Sequence, residues 1–242
     1  MSASPHVERY SLLAGARRAR GLAVVIDVYR AFTTAALMFH LGAEKIVLLA
    51  EPEDVLRLKR DDGYLAVGEV GGRMVAGFDL GNSPSAVLAA GRDTFAGRRV
   101  AQRTSAGVTG AVAAAEGADC VILGSYVTAA AIARYIHTLS PLPAAVSLVA
   151  MGKAGLEPTP EDEACADYLE HLLTGRTYDV VAALRCIVDD ESTRKFLRGN
   201  HPHYPREDPI YCLQRNLFDF VLIATLEDGR LTARRVDVGC PS

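Results

Sequence analysis

The sequence predicts an α/β protein, a three-layer α/β/α arrangement over a mainly parallel or mixed sheet. Short runs rich in Val and Ile recur along the chain, stretches rich in Ala and Leu separate most of them, and polar residues gather where the apolar runs stop. Alternation of this kind builds a sheet covered on both faces. Composition permits the core: 50% of the 242 residues are apolar and 23% charged, far from the polar mix of disordered chains. No linker, repeat or low-complexity block interrupts the chain, so one domain over residues 1–242 is expected.

The elements follow in order. A strand over 22–28 precedes a helix over 33–41, and a strand over 45–50 precedes a helix over 52–60 that Pro52 opens. A strand over 64–67 runs into a loop with five glycines between Gly68 and Pro84, then a helix over 85–90. Strands over 98–102, 120–123 and 144–151 alternate with helices over 108–116, 128–138 and 160–173. The last helix starts with Thr159 as N-cap, Pro160 at the first position and Glu161, Asp162 and Glu163 in the first turn. Beyond Asp179 the pattern changes to a helical stretch over 180–198 and a Pro/His-rich loop over 201–209. A hairpin of 218–225 with 231–236, turned by Asp228-Gly229, closes the chain.

Several function classes drop out early. With 26 basic and 29 acidic side chains the formal charge is −3, so no basic footprint favours nucleic acid or an anionic membrane. A small-molecule partner is expected, with a homodimer left open. No apolar run approaches the ~20 residues of a membrane span, and the segment 1–10 lacks the order of a secretory signal. The five cysteines, Cys120, Cys165, Cys186, Cys212 and Cys240, are odd in number and form no CxxC pair, which fits reduced thiols in a cytoplasm. Spacing also excludes a first-strand GxGxxG, a P-loop, the Asp-x-Asp pair of haloacid-dehalogenase-type phosphatases, a Cys-x5-Arg loop and zinc-spaced histidines.

The remaining signal lies at strand ends. Asp27, Glu69, Ser105 with Gly107, Ser125 and Lys153 each follow a predicted strand, where open α/β sheets bind ligands. Asp27 ends a strand buried on both faces, so its carboxylate needs a metal, a partner or a helix N-terminus. Capping the next helix, or pairing with Arg30, is its plainer explanation. Thr33 and Thr34 cap the same helix or present hydroxyls to a ligand. The glycine-rich loop carries Glu69, Arg73, Asp79, Asn82 and Ser83 and lets backbone amides approach an anion, while Asn82 or Ser83 also suits a cap. Thr104-Ser105-Ala106-Gly107 opens a helix whose free N–H groups suit a phosphate or carboxylate, or are simply capped.

The chain resembles the 2-phosphosulfolactate phosphatase (ComB-like) family over roughly residues 20–215. The resemblance rests on Val25-Ile26-Asp27-Val28-Tyr29-Arg30-Ala31-Phe32-Thr33-Thr34, Gly68-Glu69-Val70-Gly71-Gly72, the run from Gly77 to Pro84, the turn from Thr104 to Gly107, Gly124-Ser125, and Glu161-Asp162 with Cys165-Ala166. It implies a three-layer α/β/α fold and a Mg²⁺-dependent phosphatase that releases phosphate from phosphosulfolactate, a step toward coenzyme M. Asp27, Arg30 and Glu69 are then expected to be catalytic, with Asp27, Glu69 and Asp162 as oxygen ligands suited to Mg²⁺. Thr33, Thr34, Arg73, Asp79, Asn82, Ser105, Gly107, Ser125 and Lys153 are expected to bind a small phosphorylated substrate. Two departures touch the substrate more than the reaction: Val70 stands where many members have Arg, and Ala106 where they have Asn; Arg73 or Arg103 are candidates to replace them. Attack by water, by Asp27 or by Cys165 is left open at this level, although Glu161, Asp162 and Glu163 argue for an unreactive thiol at Cys165. A non-catalytic module that senses an anionic metabolite, and a lyase or transferase acting on a phosphorylated acid, are the rival readings.

Overall fold

The computed structural model describes residues 5–239; Cys240 lies outside them. The chain runs β1 (Val7–Ser11), α1 (Leu12–Ala16), β2 (Gly21–Ile26), α2 (Ala31–His40), β3 (Lys45–Leu49), α3 (Pro52–Asp62), β4 (Leu65–Val70), β5 (Arg73–Met74), α4 (Pro84–Phe95) and β6 (Arg99–Arg103). It continues through α5 (Gly107–Ala115), β7 (Ala118–Gly124), a 3₁₀ turn (Tyr126–Thr128), α6 (Ala129–Thr138), β8 (Val146–Ala150) and α7 (Pro160–Thr174). After these come α8 (Val180–Asp189), α9 (Glu191–Leu197), α10 (Asp208–Cys212), β9 (Phe220–Glu227) and β10 (Arg230–Asp237).

All the strands join one mixed sheet in the order β1-β8-β2-β7-β9-β10-β3-β6-β4-β5. β1, β8, β2 and β7 are mutually parallel, as are β3, β6 and β4. The hairpin β9–β10 joins these two sets through antiparallel ladders. Strand residues alternate between the faces: Ala23 and Val25 of β2 belong to one core cluster and Leu22, Val24 and Ile26 to another. The first cluster lies under α1, α2, α4 and α5 and runs across both parallel sets. On the other face α6, α7 and α8 cover β2, β7 and β8, and α3 covers β3, β6 and β4. This is the α/β architecture expected.

The ladder directions have a geometric consequence. β7, β9, β10 and β3 are successively antiparallel, so the set β3-β6-β4 points opposite to the set containing β2. In a flat sheet their carboxyl ends would sit on opposite edges. Sheets twist by roughly 20–25° per strand, and the five steps from β2 to β6 bring the second set round by more than a right angle. The carboxyl ends therefore meet: Gln102 Nε2 on β6 donates to Ala31 O at the start of α2 at 3.0 Å.

Differences from expectation are local. β1 was not foreseen because its residues are only half-buried at the sheet edge, and β5 spans two residues. The stretch 180–198 forms α8 and α9, broken at Asp190, which is extended and whose carboxylate accepts from Ser192 N at 2.8 Å. The loop over 201–209 passes into α10 at Asp208. Asp228 and Gly229 both have positive φ and turn the hairpin as expected.

Candidate active site

Asp27, one residue beyond β2, is buried, and both its oxygens accept backbone N–H bonds. Ala31 N donates to Oδ1 at 3.2 Å and Gly107 N to Oδ2 at 2.9 Å. Asp27 thus caps α2 and α5 at once, and a carboxylate offsets the positive ends of both helices. Gly107 must be glycine for this approach, since a Cβ there would stand 2.6 Å from Asp27 Oδ2. Asp162, in the first turn of α7, is also buried. Its Oδ1 accepts from Val28 N at 2.7 Å and its Oδ2 from Gly152 N at 2.8 Å. The residue after Asp27 therefore holds Asp162, and the two carboxylates stand side by side over the ends of β2 and β8. Glu161 is buried beside them and accepts from Ser192 Oγ at 2.8 Å.

No cationic side chain bonds to Asp27 or Asp162 among the described residues, and the electrostatics follow from that. Burial pushes Asp27 up to about 7, with the charges of Glu69 and Glu161 adding to it and the Ala31 and Gly107 amides opposing. Burial, then the charges of Asp27 and Glu161, hold Asp162 well above the usual carboxylate range. Burial likewise raises Glu161. Three buried acids repelling one another are a site that takes up protons or a cation.

Glu69, at the end of β4, belongs to the same neighbourhood through a different scaffold. Ser105 N donates to its Oε1 at 2.7 Å, and Ser105 Oγ (3.2 Å) and Gly72 N donate to its Oε2. Arg103 Nη1 bonds Ser105 Oγ at 2.9 Å and the Glu69 carbonyl. The amides of Ser105 and Gly107, expected to hold the substrate anion, are hence occupied by the protein's own carboxylates. Among the described residues no three carboxylate, imidazole or thiolate groups are grouped as a metal cage; Glu69 acts on Asp27 through its charge.

Arg30 is buried and pinned. Its Nη1 donates to Asp208 Oδ2 at 2.7 Å and to His203 O at 3.0 Å, and its Nη2 to Gly72 O at 3.3 Å. Asp208, fully buried on α10, collects Ser83 Oγ, Ser85 Oγ and Ser85 N on its other oxygen. Arg30 and Asp208 thereby tie together four segments: the start of α2, the glycine-rich loop, the start of α4 and the segment from His203 to α10. Thr33 Oγ1 donates to Val28 O at 3.1 Å, while Thr34 Oγ1 and Ser125 Oγ are buried without a partner among the described residues.

Other expected ligand residues are engaged elsewhere. Asp79 is exposed, accepts from Ala66 N at 2.8 Å and pairs with Lys59 at 2.6 Å, toward the opposite end of β4 from Glu69. Asn82 bridges Gln102 Nε2 and Arg103 O, both at 3.0 Å, and Ser83 supplies the cap of α4. Lys153 pairs with Glu157 at 3.1 Å on the surface. Arg73 is exposed on β5. Cys165 is fully buried, and burial, with Asp162 second, pushes its thiol well above the ordinary value. Glu163 plays no part there, since it turns away to Arg9 of β1 at 3.1 Å.

Sequence reasoning missed Asp208 and Lys195. Asp208 precedes Pro209, which marks a helix start, yet nothing local pairs it with Arg30, 178 residues away. Lys195 lies on α9 beside Phe196, with no sequence feature to set it apart from the basic residues around it.

Fold and site together define a mixed-sheet α/β protein with a buried acidic centre at the joined carboxyl ends of its two parallel strand sets. The chain belongs to the 2-phosphosulpholactate phosphatase family, whose model matches residues 9–227. It is 31% identical over 216 residues to a probable 2-phosphosulfolactate phosphatase of Bacillus subtilis (strain 168), covering 88% of this chain and 91% of that one. A protein of the same name from Caldicellulosiruptor saccharolyticus is 34% identical over 217 residues, covering 82% and 87%. One from Thermus thermophilus is 39% identical over 150 residues, 62% of each chain.

Proposed function

We propose that this chain is a Mg²⁺-dependent phosphatase that hydrolyses a small phosphorylated 2-hydroxy acid, with 2-phosphosulfolactate, named for the relatives, as the first substrate to try. The observation that carries the reading is the buried pair Asp27 and Asp162. Their four oxygens each accept one backbone N–H and keep a further lone pair, and no cationic side chain among the described residues bonds to them. That fits Mg²⁺, which takes one or two carboxylates and fills its remaining positions with water and substrate oxygens. Asp27 and Asp162 would hold the ion, with Glu161 and Glu69 adding negative charge around it. When bound, the metal supplies positive charge against the non-bridging phosphoryl oxygens.

The chain's own residues do the rest. The amides of Val28, Ala31, Gly107 and Gly152 fix the carboxylates, which costs no rearrangement at the moment of reaction. The α9–α10 segment, tied down by Arg30 and Asp208, limits water near the acids. Cys165 is no nucleophile here, because a buried thiol raised above its ordinary value carries little thiolate. Water is taken as the attacking group, because the lone pairs that Ala31 N and Gly107 N leave free on Asp27 are given to the ion. We also place the protein in the cytoplasm: Cys120, Cys165, Cys186 and Cys212 are all free thiols. No helix among the described residues is long and apolar enough to cross a membrane.

The test is phosphate release from a panel of phosphorylated hydroxy acids, with and without Mg²⁺. Release that requires Mg²⁺ and favours acidic esters is expected. Binding of the esters without any release would favour the sensing module, and chemistry other than phosphate release the lyase or transferase.

A further inference from the structure

We propose that Lys195 binds an acidic group of the substrate other than the phosphate, a carboxylate or sulfonate, in a seat shared with the open side of Arg30. This deepens the proposed function and rests on it. The geometry begins with two aromatic rings. Lys195 Nζ stands 5.2 Å from the ring centre of Phe196 and 5.0 Å from that of Tyr204, and the Arg30 guanidinium carbon stands 5.3 Å and 5.8 Å from the same two. Two cations thus share one aromatic pair. Each ring favours a cation, but like charges gathered there repel unless an anion lies between them.

The two cations are not equally matched. Arg30 is balanced by Asp208, yet its Nε has no acceptor among the described residues. Lys195 has neither a hydrogen bond nor an ion pair among them, although its basic neighbours do: Arg194 pairs with Asp189 at 3.1 Å and Arg198 with Glu191 at 2.7 Å. Glu161 faces the ammonium as a charge only: no hydrogen bond joins the two among the described residues, and its Oε2 accepts from Ser192 Oγ instead. The lysine is half-buried, and its ammonium stands between the two rings. Tyr204 is fixed against the glycine-rich loop, where a Cβ on Gly72 would come within 2.5 Å of its hydroxyl. The seat therefore lies on the α9 side of the acidic centre. A substrate whose phosphate meets the Asp27 and Asp162 side reaches it with a carboxylate or sulfonate, and an ester with a neutral tail leaves the ammonium unmatched.

Lys195→Met keeps the stem and removes the charge, and Lys195→Arg keeps the charge. The first readout is binding of methanesulfonate alone, which needs no turnover. The wild-type protein and Lys195→Arg are expected to bind it, and Lys195→Met about tenfold or more weakly. The second is steady-state phosphate release from 2-phosphosulfolactate and from phenyl phosphate, with circular dichroism confirming the fold. Lys195→Met is expected to raise KM for the acidic ester, with kcat less affected, by a factor about tenfold larger than any change for phenyl phosphate. Wild-type protein that fails to bind methanesulfonate, a folded Met variant that binds it normally, or equal losses on both esters would overturn the assignment. If the wild-type protein hydrolyses neither ester, the phosphatase reading fails while methanesulfonate binding still decides the role of Lys195.

Discussion

Asp27 does two things that the sequence presents as alternatives. It caps helices through the amides of Ala31 and Gly107, and it shares a buried centre with Asp162. The first use stabilises its charged form and the second opposes it, and burial decides the balance, leaving Asp27 at about 7. An unfolded Asp titrates near ~3.9. Between those values the folded chain keeps a proton that the unfolded chain has lost, so stability falls as pH rises from about 4 to about 7 and levels off above. In Mg²⁺-free buffer, urea unfolding of the wild-type protein should therefore lose more stability between pH 5 and pH 8 than Asp27→Asn does, by a difference of order 1–3 kcal/mol. Parallel stability curves would mean that Asp27 is charged throughout. Asp27→Asn should also abolish most phosphate release at every pH while remaining folded. The same burial argument applies to Cys165 with the opposite consequence for chemistry: Cys165→Ala should turn over near the wild-type rate per folded molecule. A loss by orders of magnitude, with substrate-protected alkylation of the wild-type thiol, would make the thiol the nucleophile.

At the scale of elements, what local chemistry determines was legible. Pro52 and Pro160 open their helices at the expected positions, and Asp228-Gly229 turns the hairpin. Thr104, one of the expected capping residues, accepts from Val108 N at 3.0 Å. Asp27 and Glu69 lie at strand ends, and Asp162 at the helix start beyond one. What local chemistry cannot show is which partner fills an amide. The N-terminus of α5 read as an open anion site, and in the fold Asp27 and Glu69 already occupy it. That occupancy gives a test. In Gly107→Ala the new Cβ meets Asp27 Oδ2 at 2.6 Å and Phe32 Cζ at 2.9 Å. The variant should be destabilised by about 1–3 kcal/mol, as over-packed sites are, and should lose phosphate release by more than its folded fraction explains. Wild-type Tm and turnover in this variant would show that α5 does not hold Asp27 in place.

For the whole molecule, the sequence read as a succession of strand-helix units, which places every strand end on one edge of an open sheet. The fold brings those ends together by another route, because the β9–β10 hairpin reverses the second strand set and twist returns it. No single residue signals this; it depends on which strands pair, and a pairing such as Val47 with Thr232, 185 residues apart, leaves no local trace. The route has an energetic consequence. β10 and β3 share only the short ladder Thr232↔Val47 and Ala233↔Ile46, too little to couple two independent halves. The coupling comes instead from the core under α1, α2, α4 and α5, where Val25, Leu123 and Val149 of the first set pack in one cluster with Ile46, Val67 and Val100 of the second. If that shared core dominates, the two sets open together as a cooperative unit. Val67→Ala tests it: the side chain is fully buried, lies in the second set, and its truncation should cost about 1–3 kcal/mol. Native-state hydrogen exchange should then show the same loss of protection in β8 and β2 as in β4 and β6, since all report one global opening. A loss confined to β3, β6 and β4 would mean that the sets unfold separately and that the acidic centre, whose parts come from both, can come apart without global unfolding.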